Sequence, residues 1–337
     1  MHRIKPSGAG RAAWMRLAAA AMLCAAVALP AAMAQQRPWP GQPLRVVVPY
    51  PPAGAADVAT RITAQRLAVR LGQSVVVENH PGAVGTIGAN FVTRAAPDGY
   101  TLLAATNPEL TIVRHLRPSL PYDPDADLVP LLRTATAPIV LVVREQGAQS
   151  ASLRQLLDAA KQAPDTLSYA TPGIGTPMHL MMDSIFTASG VRVHHIPYNG
   201  GARAMSDLMG GQIDMLAITL STVIGQIQTG RLRALAVLQD ERSPLVPDVP
   251  TVQEAGGVQV PHLPSVWFGW FAPAHTPAAV RARLAAELEQ VVQEAEVGQA
   301  LQRAGLEARP LAPQPFAEEL RRESRFFSSA AQPYAER

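Results

Sequence analysis

Two glycine-bearing turns separated by a single helix constrain this chain more than any other stretch. Residues 44–85 read strand, turn, helix, strand, turn: LRVVVP, YPPAGAAD, a helical run ending near Leu71, SVVVEN, then HPGAVG. The first run is short, mostly apolar and β-branched, as in a strand covered on both faces. Pro49, Pro51, Pro52 and Gly54 stop it, Asp57 is expected to cap the helix that follows, and Gly72 to close it. A helix beginning straight after such a turn aims bare N–H groups and the positive end of its dipole at whatever lies beyond the strand end. That turn holds no Lys or Arg before Arg61, so an anion bound there must be held by backbone.

The same alternation continues. Strands are expected at 101–105, 131–136, 138–143, 167–170, 191–197, 213–218, 232–238 and 266–271. Helices are expected at 87–95, 153–162, 178–188, 204–209, 222–228, 277–295, 297–304 and 315–330. Alternating strands and helices argue for an α/β protein with parallel sheets covered on both faces. The proline-rich stretches 120–130 and 242–250 read as connectors. The expected organisation is two α/β lobes: residues 35–137 and 245–337 form a discontinuous first lobe, and 138–244 a second lobe inserted into it. Folds of this kind bind ligands in the crevice beyond the carboxyl ends of the strands. Trp267 and Trp270 are placed together on one core-packing face of the strand at 266–271.

Residues 1–34 read as a signal peptide. His2, Arg3, Lys5, Arg11 and Arg16 make a basic start, and an alanine-rich apolar stretch at 17–29 is too short for a stable span. Ala32-Met33-Ala34 offers a small-residue cleavage site, giving a mature start at Gln35 and an exported, periplasmic location. The competing readings are a membrane anchor, or a lipoprotein using Cys24, which the large Leu23 before it opposes. The 337-residue precursor carries 29 basic and 26 acidic side chains; the leader removes four basic ones, leaving 25 against 26. A balance of −1 gives no reason to expect nucleic acid as a partner. Cys24 is the one cysteine, so the mature chain has no disulfide, thiol nucleophile or thiolate metal site. Lys161 is its one lysine, and its place late in a helix reads as solvent-exposed rather than catalytic.

Four glycine turns each follow a strand and precede a helix: Pro51-Pro52-Ala53-Gly54, Pro81-Gly82-Ala83-Val84-Gly85, Thr171-Pro172-Gly173-Ile174-Gly175-Thr176 and Tyr198-Asn199-Gly200-Gly201. The strand-to-helix rule puts all four on the same edge of their sheets. Facing lobes would then surround one anion with N–H groups and the hydroxyls of Thr106, Thr171, Thr176 and Tyr198. A charge-assisted hydrogen bond contributes roughly 1.5–3 kcal/mol. Four or five of them, less ordering and desolvation, leave about −8 kcal/mol, a near-micromolar dissociation constant. Neither GxGxxG nor a P-loop lysine is present, so no nucleotide cofactor is expected. His194 and His195 are strand neighbours on opposite faces and cannot share a metal. His179 opens a helix and reads as packing or capping rather than as a ligand contact. GxSxG is absent, and no serine has a local base and orienter. No catalytic residue, metal or cofactor is therefore expected.

These stretches, taken in order, resemble one family. WPGQPLRVVVPYPPAGAAD, RLGQSVVVENHPGAVGTIGA, AAPDGYTLLAAT, LSYATPGIGTPMHL, IPYNGGARAMSDLMGGQIDM, GRLRALAV, RSPLVPDVPTVQEAG and WFGWFAPAHTP match the Bug family, the TctC-like solute-binding components of tripartite tricarboxylate transporters. The resemblance runs over 39–330. It implies a bilobed type II periplasmic binding protein fold, closing on a small carboxylate: a di- or tricarboxylate, an acidic amino acid or an aromatic acid. It implies a pocket formed by Ala53, Gly54, Ala55, Ala56 and Asp57; by Gly82, Ala83, Val84 and Gly85; by Thr106 and Asn107; by Thr171, Gly173, Gly175 and Thr176; and by Tyr198 and Asn199. It implies a monomer whose partners are membrane permease subunits or, in the alternative reading, a signalling protein for which the chain is the ligand sensor. Departures from the family pattern fall in the turns. Ala53 stands for a glycine, Ala55 and Ala56 for hydroxyl residues, Asn199 for lysine and Arg203 for proline. Glu109 follows Thr106 where small residues are usual, and would repel a carboxylate unless turned away. A less charged or aromatic monocarboxylate is favoured over citrate for that reason.

Overall fold

The computed structural model describes residues 39–117, 119–146, 152–260 and 262–336. The leader and its cleavage site lie outside these residues. Residues 42–337 make one compact unit. Within it two mixed sheets organise the chain, each with helices packed on it: an α/β, two-lobed architecture, as expected. They are not the parallel sheets expected of the alternation, since the strand Leu128–Ala137 passes straight into Ile139–Arg144 with no helix between, and Ile139–Arg144, Val266–Pro273 and Glu307–Leu311 pair antiparallel.

The first sheet runs β11-β4-β10-β3-β1-β2. Its strands are β1 (Leu44–Val48), β2 (Val75–Asn79), β3 (Thr101–Ala105), β4 (Leu128–Ala137), β10 (Val266–Pro273) and β11 (Glu307–Leu311). β1 pairs parallel with both β2 and β3, whereas β10 is antiparallel to β3 and β4. The second sheet runs β7-β6-β8-β5-β9. It holds β5 (Ile139–Arg144), β6 (Ser168–Thr171), β7 (His194–Pro197), β8 (Met215–Thr219) and β9 (Leu232–Val237). β6 is parallel to β7 and β8, and β5 antiparallel to β8 and β9.

The longer helices are α1 (Ala55–Leu71), α2 (Thr86–Thr93), α3 (Leu153–Gln162), α4 (Pro177–Ser189), α5 (Gly201–Met209), α6 (Leu220–Gln228), α7 (Ala278–Gln293), α8 (Ala295–Arg303) and α9 (Pro313–Ala331). Gly72 closes α1 with φ +65, the left-handed cap expected of it. Among the described residues no helix is long and apolar enough to cross a membrane.

The chain leaves the first sheet for the second at Pro138, between β4 and β5. On the way back, Val237 bridges Thr251, and Gly256 rests on the Leu153 and Leu157 side chains of α3. The chain thus stays beside the second sheet to Gly256, past the return expected at 245. β11 is absent from the sequence-based expectation. Its sequence EARPL contains Pro310, which is tolerated because β11 is an edge strand and its register breaks between Ala308 and Leu311.

Trp267 packs with Phe271 and Phe316 in the first lobe's core. Trp270 does not share that cluster, correcting the expectation of a common face: residues three apart on a strand point to opposite sides. Phe316 reaches β10 because position 269 is glycine; a Cβ there would lie 2.6 Å from its ring. A second cluster joins the lobes. Ile112 from the first, Leu180 from α4, and Phe327 and Ala331 from α9 are buried together. Helix α9 therefore packs on both halves.

Candidate functional site

The parallel strands decide where the turns go. β1, β2 and β3 end side by side, and their carboxyl ends carry the turns holding Ala53, Gly82 and Thr106. In the second sheet β6 and β7 end together, carrying the turns at 172–176 and 198–200. The four glycine turns thus line one edge of each sheet, as the strand-to-helix rule requires. Those of the second lobe lock together, the Gly200 N–H donating to Pro172 O at 3.0 Å. The second rim meets the first lobe at Gly175, where a Cβ would stand 2.7 Å from Leu116, in the short helix that follows Ile112.

In the first rim, Gly54 and not Asp57 is the N-cap of α1. Asp57 sits three residues into the helix and reaches back to accept the Ala53 N–H at 2.9 Å. It also accepts from Asn79 Nδ2 at 2.9 Å and from Arg61 Nε. Burial opposes its charge, but the bonds from Arg61, Asn79 and Ala53 outweigh it and hold the carboxyl below its usual range. Its charge clamps the turn instead of capping the helix. Ala53 has φ +64, the conformation for which glycine is suited. Ala83, Val84 and Gly85 are all left-handed, and Ala53, Gly54, Gly82, Ala83 and Val84 are exposed. The first-turn N–H groups of α1, at Ala55, Ala56 and Asp57, have no intrahelical acceptor.

Glu109 is the feature of this rim whose role the sequence leaves open. The chain after Thr106 winds into a wide turn, Pro108–Ile112, that carries Glu109 beneath Gly85. Its carboxylate is wholly buried, accepting from the Tyr50 hydroxyl at 2.6 Å and the Thr106 N–H at 2.8 Å. Tyr122 donates to its backbone carbonyl at 2.6 Å. Burial pushes the Glu109 carboxyl up to about 7, against the hydrogen bonds from Tyr50, from the Thr106 N–H and from its own N–H, which favour the charged form.

Asn107 is also fully buried. Its Nδ2 donates to Glu323 at 2.9 Å and to Ser265 O at 3.1 Å, while its Oδ1 accepts the Trp267 N–H at 3.3 Å. Glu323 further accepts from Trp267 Nε1 at 2.8 Å. Burial and the neighbouring Glu319 charge push Glu323 up to about 8 despite those donors. Asn107 ties the rim to α9 and β10.

In the second rim, Thr176 caps α4, accepting the His179 N–H and donating to Gly173 O at 2.8 Å. His179 Nδ1 accepts the Gly175 N–H at 3.2 Å, so the capping reading of this histidine describes it well. Thr171 Oγ1 lies 2.8 Å from His195 Nε2, and His195 stacks on His179 with centroids 4.2 Å apart. Burial pushes both imidazoles down to about 4. The Tyr198 hydroxyl donates to Asp207 at 2.8 Å, and Asn199 is exposed. The hydroxyls of Thr106, Thr171, Thr176 and Tyr198 thus each have a partner inside the chain. What the rims expose are the turns themselves, including the apolar side chains of Val84 in the first and Ile174 in the second. A separate cavity of about 570 Å³, lined by Asp183, Thr187, Arg322, Arg325 and Phe326, lies between α4 and α9 and contains none of the turn residues.

Comparison with known proteins bears on what such rims do. The family described as tripartite tricarboxylate transporter family receptor matches residues 59–325. A protein encoded in the tcbD-tcbE intergenic region of Pseudomonas sp. strain P51 is 37% identical over 284 residues, 83% of this chain and 82% of its own length. The structure of Rhodopseudomonas palustris Rpa4515 with adipate has TM-score 0.75 and 28% identity, covering 88% of this chain and 98% of that one. MatC from Rhodopseudomonas palustris with bound malate has TM-score 0.69 and 29% identity, covering 87% and 99%.

Proposed function

Because this chain belongs to the tripartite tricarboxylate transporter receptor family, a family of solute-binding proteins and not of enzymes, we propose that it captures a small carboxylate by hinge closure and delivers it to a membrane permease of that transporter class. The observation that carries this reading is the pair of opposed glycine rims. Each lines the carboxyl edge of parallel strands and belongs to a different lobe. Two relatives of the same architecture hold adipate and malate, small acids of the expected class. The turn residues named from the sequence, 53–57, 82–85, 106–107, 171–176 and 198–199, are proposed as the walls of the pocket. Exposed main-chain donors supply much of the grip, since the rim hydroxyls are engaged elsewhere. The protein works in the periplasm as a monomer, and closure gives the permease a form to recognise.

Native mass spectrometry of the purified mature chain, followed by thermal-shift titration with mono-, di- and tricarboxylates, tests the reading. A bound acid that raises the melting temperature and shrinks the radius of gyration in solution scattering is expected. Stabilisation by no carboxylate, or binding with no change of radius, would remove it.

A further inference from the structure

Resting on that reading, we infer that Glu109 is a specificity-determining residue. It is a carboxylate built into the first rim, and it selects acids with one carboxylate, held toward the second rim, over dicarboxylates. Three observations carry this. The Glu109 carboxylate takes the Thr106 N–H at 2.8 Å and the Tyr50 hydroxyl at 2.6 Å, donors this rim could otherwise turn toward an anion. It lies directly under the exposed turn, since a Cβ at Gly85 would stand 3.0 Å from its Oε2. No described cation pairs with it: Arg61, the basic residue of this rim, is committed to Asp57 at 2.9 Å.

The groups around Glu109 offer no positive charge. Tyr50 and Tyr122 touch it, and the far side of the same turn, through Asn107 and Thr111, faces the buried Glu323 of α9. The second rim differs. Arg203 lies exposed in the first turn of α5, just after Gly200 and Gly201, close enough to Tyr198 to act on its hydroxyl. Above about pH 7 a ligand spanning the rims therefore meets the Glu109 charge at one end and the Arg203 charge at the other. Buried charge is poorly screened, so a second carboxylate on the ligand faces repulsion that a neutral end escapes.

The test uses matched acids on the mature protein: adipate against hexanoate, malate against 3-hydroxybutyrate, and terephthalate against benzoate. Titration calorimetry at about pH 8, where Glu109 with its carboxyl near 7 is ionised, should show the monoacid of the binding pair about tenfold tighter or more. Glu109→Gln keeps the shape and removes the charge. It should tighten the diacid about tenfold and move the monoacid less than about threefold. Tyr50→Phe, which leaves the charge in place, should not reproduce that change. In the unaltered protein the preference should narrow as pH falls from about 8 to about 6, which serves should the variant fail to fold. A wild type that prefers the diacid, or a preference indifferent to both Glu109→Gln and pH, overturns this inference and leaves the receptor reading standing. If no acid of any pair binds, both fall.

Discussion

The two rims perform the same geometric task with opposite buried chemistry. The first is underlain by carboxyls that burial drives upward, Glu109 to about 7 and, through Asn107, Glu323 to about 8. The second is underlain by imidazoles that burial drives downward, His179 and His195 to about 4. Each rim carries its turns over a titratable group whose charged form burial disfavours. One lobe is thus stabilised by acid and the other by base, although the turns above look alike. The lesson is that main-chain binding surfaces need polar support underneath. That support can come from either end of the pH scale.

The largest expected effect lies where the first rim's support is densest. Asn107→Ala removes two bonds to a buried carboxylate and the acceptor of the Trp267 N–H. The expected loss is about 3 kcal/mol in urea unfolding, since bonds to a charged or half-charged buried group are the costly ones. A loss below about 1 kcal/mol would show that Glu323 stays protonated and needs no such support.

Next is the pH profile of the ligand-free protein, where the rims should act in opposite directions. Glu109 and Glu323 have folded values raised above the ordinary 4.5, so their contribution is complete below about 4.5 and disappears as pH rises through about 7 to 8. For Glu109 this is worth on the order of 3 kcal/mol. His179 and His195 have folded values depressed from 6.5, so their contribution is complete above about 6.5 and disappears as pH falls toward 4. The partial exposure of His195 screens this limb, leaving about 1–2 kcal/mol for the pair. Melting temperature should therefore peak in mildly acidic buffer. Glu109→Gln should flatten the alkaline limb alone, and His179→Gln the acid limb alone. Either variant altering both limbs would show the two rims to be one coupled network.

The smallest effect tests the first rim's backbone. Ala53 holds φ +64 against the preference of an L side chain. Ala53→Gly should relieve this and stabilise the protein by about 1 kcal/mol, read from chemical denaturation. A destabilisation would mean that the Asp57 clamp already absorbs the strain.

Much of the architecture was legible because it follows from local pattern. Apolar β-branched runs, glycine turns and helices in alternation dictate parallel strands, and parallel strands dictate which edge the turns share. The turn positions, the cap at Gly72 and the absence of basic side chains in the first turn all depend on residues close together in the chain. The roles of individual site side chains were less legible. Glu109 reads from sequence as a charge that either repels the ligand or turns away. Its direction depends on the wide turn at Pro108–Ile112 and on Tyr50, which is 59 residues distant. Asn107 reads as a pocket residue, and its partners Ser265, Trp267 and Glu323 come from the far end of the chain. β11 escaped because an edge strand can carry a proline that the pattern of a strand forbids.

The sequence by itself determined that this chain builds two sheets with glycine turns at their carboxyl edges, because the periods of strand and helix and the freedom of glycine act over neighbouring residues. Only the tertiary structure decided which polar groups those turns keep for the protein and which they leave for a ligand. Hydrogen-bond partners and burial are set by contacts between distant segments, and it is burial that decides whether Glu109, Glu323, His179 and His195 carry a charge at all.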